Sequence, residues 1–334
     1  MVSKKNGIIQ SILVMCILVF IIFLTVYTGY SMTQLHVKET FTNPTVSSSL
    51  PISSLADVTD HEITTYSSKV YRNNDDIYDS YYAEVYPELV DKYKDKLLQY
   101  ELDDLDIYAN LSEYKSKAKI LDLGCGTGTH LEELGKKYNI IGVDSSRNML
   151  NKAKEKVKKL KNVRLIQADF DYKDTINQKQ FTHIICFYFS FYCTKNYKKL
   201  LRNVHSWLQR GGYFCVHLVD PHKFDPVLDA ANPLQGIPLQ KYMKKRKIDS
   251  KVIFNNFIYK SRFNYNRKNS SAVFEEDLIY PKKKTIRKHK HHLTMPSHNT
   301  VIDEARKVGF KLTHVTQLFP IGYEYQYICY LQKM

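Results

Sequence analysis

The segment Lys119-Ile120-Leu121-Asp122-Leu123-Gly124-Cys125-Gly126-Thr127-Gly128-Thr129-His130 constrains this chain more than any other stretch. An apolar run closes on an acidic residue, and glycines then fill alternate positions. The pattern predicts a buried strand, a tight turn and a helix start, with Leu131 and Leu134 on the inner face of that helix. Glycine reaches positive φ without a Cβ penalty, so such a turn can pass close beneath a ligand. The helix that follows points free N–H groups at the ligand's edge. Loops of this kind lie at the carboxyl end of a parallel strand and cradle a nucleotide-like molecule.

The spacing narrows the choice of ligand. A dinucleotide loop reads G-x-G-x-x-G, but the third glycine here is Gly128 and Thr129 follows it. A phosphate-binding P-loop needs Lys and then Ser or Thr after its last glycine, and Thr129-His130 stands there instead. Asp122 is ill suited to a pyrophosphate and well suited to a cationic or amino-bearing ligand. Two more strand-like runs also close on acids. Tyr138 to Asp144 ends about twenty residues beyond Asp122, where a carboxylate can accept both hydroxyls of a ribose. Ser145 or Ser146 then caps a helix whose inner face is Met149, Leu150, Ala153, Val157 and Leu160. Val163 to Asp169 is the third run, followed by Phe170.

From Ile120 to Asp220 the chain closely resembles the class I S-adenosylmethionine (SAM)-dependent methyltransferases, on the small-molecule side of the family known as types 11 and 25. The resemblance implies an α/β fold: a doubly wound, seven-stranded, mostly parallel sheet in the order 3-2-1-4-5-7-6. It implies SAM as cofactor, held by Asp122, Gly124, Cys125, Gly126, Gly128, Asp144, Ser145, Asp169, Phe170 and Phe187. Within that set Asp169 would accept from the adenine amino group, with Phe170 or Ala168 beside the ring. Members that methylate bases or glutamine often carry Asn/Asp-Pro-Pro-Tyr after the fourth strand. Phe187-Tyr188-Phe189-Ser190 stands here, which argues against a base or amide nitrogen as acceptor. Thr182 replaces an acid that relatives often have before that strand.

The implied reaction is methyl transfer to a small molecule. The sulfonium already activates the methyl, so the protein's contribution is placement of the nucleophile. No base is assigned; Tyr188, Ser190, His217 and the histidines of the insertion occupy positions that could face the acceptor. Two other readings stay open: a catalytically silent SAM-fold scaffold on a membrane, and an RNA or protein methyltransferase.

The rest of the chain falls into place around this core. The tail 1–6 precedes an almost wholly apolar stretch, Ile8 to Tyr27, with no charge between Lys5 and Lys38. That is long enough to span a bilayer, so 7–30 is expected to be a single transmembrane helix. A cleavable signal would have a shorter core and a small-residue cleavage site. The Ser/Thr-rich residues 31–62 read as a flexible stalk, and 63–334 as the catalytic domain. Lys4 and Lys5 place the N-terminus in the cytosol by the positive-inside rule, whereas SAM and unpaired cysteines suit a cytosol-facing domain. The latter is the weakly preferred side.

Tyrosines crowd 63–117, and the apolar spacing of Ile77, Tyr81, Val85, Leu89, Tyr93 and Leu97 predicts a helix from Asp76 to Tyr100, which resembles the N-terminal helices that lid the cofactor in small-molecule methyltransferases. Tyr197 to Leu208 reads as a helix ended by Gly211-Gly212, with the fifth strand from Tyr213 to Val219. Residues 221–297 interrupt the family order with alternating runs that predict antiparallel strands. A helix from Ser297 to Val308 and a closing hairpin end the pattern. The net charge of +15 fits an anionic partner or plain compositional bias, and nucleic acid is possible but not favoured. The six cysteines contain no C-x-x-C pair, and no acid adjoins His289, His291 and His292 in sequence, so no metal is expected.

Overall fold

The computed structural model describes residues 55, 57–72, 74–176, 181–231, 240, 243 and 245–334. The expected membrane helix at 7–30 and most of the stalk lie outside the described residues. Among the described residues, no helix is long and apolar enough to cross a membrane. Near the end of the stretch read as stalk, Asp60–Thr64 is helical, and the Thr59 side chain accepts from the Glu62 amide to cap it.

Thr59–Val252 and Ile258–Met334 form one compact unit; Ile253–Phe257 belong to a second, small one. In the small unit Phe254 and Phe257 stack at 4.8 Å across a turn.

In chain order the strands are β1 (Ser67–Tyr71), β2 (Lys119–Leu123), β3 (Asn139–Asp144), β4 (Val163–Gln167), β5 (Phe181–Cys186) and β6 (Leu208–Val219). β7 (Asp249–Ile253), β8 (Ile258–Asn266), β9 (Ser271–Tyr280), β10 (Thr285–Thr294), β11 (Phe310–Gln317) and β12 (Gln326–Lys333) follow. The longer helices are α1 (Ser80–Leu89), α2 (Asp95–Tyr108), α3 (Thr129–Leu134), α4 (Arg147–Val157), α5 (Tyr197–Trp207) and α6 (His298–Val308).

The main sheet has seven strands in the order β11-β12-β6-β5-β2-β3-β4. β2 to β6 pair in parallel, and β12 runs against both of its neighbours. This is the order expected from the resemblance. Every residue of β5 is buried, because helices cover both faces of a parallel sheet. One apolar layer gathers Trp207, Leu201, Phe214, Ile302 and Ala305 under α5 and α6. The other gathers Leu97, Leu105, Leu131, Leu150 and Ile328 under α2, α3 and α4. Thr182 ties β5 to β2, its hydroxyl accepting from the Lys119 amide at 3.0 Å.

The insertion builds a second sheet, β1-β10-β9-β8-β7. Its β8, β9 and β10 are antiparallel as expected, while β1, from the N-terminal side, joins β10 in parallel. The basic run on β10 is divided by the pleat. Lys288 and Lys290 reach Asp277 and Glu275 at 3.9 and 2.6 Å, while His289 and His291 turn inward. There they meet Glu276, the cross-strand partner of His289, so an acid does adjoin these histidines in space.

Two local expectations are corrected, and one open choice is resolved. The helix expected over Asp76–Tyr100 is interrupted between Ile77 and Ser80 and again from Val90 to Lys94, and Tyr82 rather than Tyr81 is the buried tyrosine. Of the two serines offered as a cap for α4, Ser146 takes the role, its oxygen accepting from the Met149 amide at 3.1 Å. β6 begins at Leu208, directly after α5, so Gly211-Gly212 lie inside the strand instead of capping the helix.

Candidate active site

The loop after β2 makes three left-handed turns at glycine: φ is +73° at Gly124, +53° at Gly126 and +83° at Gly128. Two of these positions are also crowded. A Cβ on Gly124 would lie 2.6 Å from Ser190 Oγ, and one on Gly128 would lie 2.9 Å from Ala153 Cβ. Gly126 is different: only Met149 Cε, at 3.7 Å, comes near, so its missing side chain leaves open space.

Asp144 fixes this loop. Its Oδ2 accepts from the Gly126 amide and its Oδ1 from the Ser146 amide, each at 2.9 Å. The Gly124 and Cys125 amides donate to Val143 O at 2.8 and 3.0 Å, closing the turn over β3.

A cleft opens above the loop, lined by Asp122, Gly124, Cys125, Gly126 and Phe187 together with Tyr86, Asp91, Lys94, Glu101, His130, Tyr188 and Ser190. Five of the ten expected cofactor residues thus line it. Gly128, Asp144, Ser145, Asp169 and Phe170 lie around it rather than along its wall. Asp169 Oδ1 accepts from the Asp171 amide at 2.8 Å in a turn, and Phe170 packs near Gly124. The Cys125 thiol faces β3 at Gly142, and burial pushes its pKa well up.

The electrostatics of the cleft are unbalanced. Asp122 is buried, its Oδ2 has no hydrogen-bond partner among the described residues, and desolvation raises its pKa to about 7. Glu101 is also buried. Its Oε2 meets His130 Nε2 at 2.8 Å, while its Oε1 has no hydrogen-bond partner among the described residues. Burial works against the His130 charge, but the bond to Glu101 and the charge of Asp122 prevail and raise its pKa. Lys94 reaches over the Tyr188 ring, 3.0 Å from the centroid, and desolvation lowers its pKa to about 8. Tyr188 and Phe189 both hold positive φ, +46° and +64°, where non-glycine residues are strained. The bond from Ser190 Oγ to Gly124 O at 3.2 Å holds this loop down on the glycine turn.

Asp91, Lys94, Glu101 and His130 were not singled out from the sequence. One signal was there: Glu101 and Asp104 fall in phase with Leu97 and Leu105 on the buried stripe of α2. A carboxylate in an apolar stripe needs a reason to be there.

The second-sheet cluster is chemically closed. Glu276 accepts from Tyr259 at 2.7 Å, Tyr82 at 2.8 Å and His291 at 2.7 Å, with His289 Nδ1 at 3.3 Å. Burial alone would raise its pKa, but the bonds from His289 and His291 hold it well below the carboxylate range. The three groups lie close enough to hold a metal ion. However, Arg287 Nε donates to His289 Nε2 at 2.6 Å, which puts that ring's proton on Nδ1, toward Glu276. The donor pattern is that of a carboxylate saturated by hydrogen bonds.

Residues 120–212 match a family described as a methyltransferase domain. Carboxy-S-adenosyl-L-methionine synthase of Trichodesmium erythraeum is 32% identical over 104 residues, covering 30% of this chain and 41% of that protein. (S)-Coclaurine N-methyltransferase of Papaver somniferum is 30% identical over 137 residues, 38% of either chain. The chain thus spans about two fifths of the length of these curated relatives. Among solved structures, a SAM-dependent methyltransferase from Clostridium acetobutylicum superposes with a TM-score of 0.56 at 18% identity, over 76% of this chain and 98% of that one. That likeness is one of fold. Residues 120–212 thus match the methyltransferase-domain family, on a fold shared with a SAM-dependent methyltransferase.

Proposed function

We propose that this protein transfers a methyl group from SAM to a small-molecule acceptor. The observation that carries the reading is the buried carboxylate oxygen of Asp122, unpartnered among the described residues, beside the glycine turn, with Lys94 across the cleft. SAM bears an ammonium, a sulfonium and a carboxylate, and these charges complement that pair. When bound, SAM supplies a methyl already activated on sulfur. The chain's part is to hold and enclose: Asp122 receives the positive end, Lys94 the carboxylate. Asp144, Ser145, Asp169, Phe170 and Phe187 serve the nucleoside. Tyr86 and Tyr188 shut out water.

Calorimetry on the full chain tests this. SAM and its demethylated product bind the wild type, and Gly126→Arg, which fills the open space at that glycine, abolishes binding. Unchanged affinity in that variant rejects the site.

We also propose that residues 7–30 hold the enzyme on a bilayer with its domain toward the cytosol, where SAM is made. The support is the charge-free run from Ile8 to Tyr27. Extraction of the protein by carbonate rejects the anchor. Glycosylation in cells at Asn110 or Asn269 rejects the orientation.

A further inference from the structure

One buried pair has no role in holding SAM. His217 lies near the carboxyl end of β6, and its Nε2 meets the Gln326 side-chain oxygen at 3.0 Å across the β6–β12 pair. That bond places the ring proton on Nε2 and leaves Nδ1 a bare lone pair. Nδ1 is buried, has no hydrogen-bond partner among the described residues, and lies 4.0 Å from the equally unpartnered Glu101 Oε1. Two acceptors face each other with no proton between them, too far apart to share one. Unmade bonds of this kind are costly in a buried site, so a third group bearing hydrogens is needed.

We propose that this group is the methyl acceptor, an aliphatic amine whose two N–H groups bridge Glu101 Oε1 and His217 Nδ1, and that His217 takes the proton released on transfer. The proposal rests on the methyltransferase reading above. A nitrogen ~2.9 Å from both atoms subtends an angle of about 90° between them, within ~20° of the angle at a tetrahedral nitrogen. A hydroxyl carries one hydrogen and would leave one acceptor bare. With both N–H groups engaged, the nitrogen's lone pair is the direction left free for the methyl, and Glu101 itself lines the cleft. The Phe189 ring, 5.5 Å from the imidazole, closes the other side.

The step balances. The nitrogen lone pair forms the N–C bond as the C–S bond breaks and leaves its pair on sulfur. The ammonium so formed passes one proton to His217 Nδ1, giving the neutral methylamine and an imidazolium beside the Glu101 carboxylate. Desolvation, and the Lys94 charge beyond it, lower the pKa of His217, while Glu101 and the Gln326 bond raise it; the net direction is down. The ring therefore waits in its neutral, accepting form.

The test uses full-length protein and matched pairs, benzylamine with benzyl alcohol and cyclohexylamine with cyclohexanol. In ¹⁵N-histidine NMR on protein loaded with the demethylated cofactor, the His217 Nδ1 resonance should start as an unprotonated nitrogen. It should move on titration with the amines and stay put with the alcohols. With labelled SAM, the amines should take up label and the alcohols should not. His217→Gln should cut that transfer at least 50-fold and abolish the acid limb of its pH profile, with SAM affinity within twofold of wild type. No Nδ1 response to either amine overturns the proposal, leaving a bound water as the bridge. Labelling of the alcohols instead overturns it too. So does a tenfold loss of SAM affinity in His217→Gln, which would assign the pair to the cofactor's own ammonium. Failure of the wild type to bind SAM rejects the underlying reading instead.

Discussion

The phenol of Tyr82 donates to the carboxylate of Glu276 at 2.8 Å, across 194 residues of sequence. Tyr82 is on α1, beside the cleft; Glu276 is in the middle of the second sheet. The bond fastens the lid helix to the insertion. Tyr78 and Tyr86 flank Tyr82 edge-on at 5.4 and 6.0 Å, so the three rings form one aromatic wall.

Tyr82→Phe removes one of four donors to a buried carboxylate and should cost about 1–2 kcal/mol in denaturant unfolding. Glu276→Gln should cost more, about 2–4 kcal/mol, because His289, His291 and two phenols then compete for a weaker acceptor. Equal, small losses would show that the network does not hold the lid.

SAM affinity should rise as pH increases through about 7, the value to which desolvation lifts Asp122. A cation binds better to the carboxylate than to the acid, so binding expels a proton. Calorimetry in two buffers of different ionisation enthalpy should detect that release, and Asp122→Asn should abolish it. A pH-independent affinity in the wild type would contradict this assignment.

Gly128→Ala should destabilise the fold by about 2–4 kcal/mol, since its Cβ meets Ala153 at 2.9 Å with φ at +83°. Gly126→Ala should cost only about 1 kcal/mol, because the space is open and φ alone objects. Thermal unfolding of the two variants side by side checks the order.

His183 is buried between Ala109 O, at 2.9 Å, and Thr182. Desolvation pulls its pKa down to about 4, partly offset by the Ala109 bond. The ring is neutral in the fold and charges more readily when unfolded. Its contribution is therefore intact above pH ~6.5 and is lost as pH falls toward 4, by about 2–4 kcal/mol. Replacing His183 with Gln should flatten stability against pH over that window.

The glycine turn and the strands themselves were legible because both are written locally: alternate glycines for the turn, continuous apolar runs such as Phe181–Cys186 for the covered strands; their order came from the family resemblance. The helix cap at Ser146 followed the same local logic. What escaped depended on pairing. His289 and Glu276 are neighbours only through strand register, and Glu101 and His130 only through the packing of α2 on α3. Val90 broke the lid helix where apolar spacing carried on without interruption, since periodicity does not record a turn that Asp91 makes by accepting from Thr127. Asp144 was read as a ligand residue; that it also staples the loop could not be seen without knowing which amides point at it.

β12 follows β11 in the chain yet lies between β11 and β6. On a ribosome, then, β11 emerges with no strand to pair with, and β6 keeps one bare edge, until β12 is made and slots between them. Over that interval the nascent chain shows two open strand edges, the kind that recruit other chains. His217 meanwhile lacks Gln326, so its proton has no fixed place. A polypeptide stalled before Gln326 would expose adhesive edges and an untuned imidazole together.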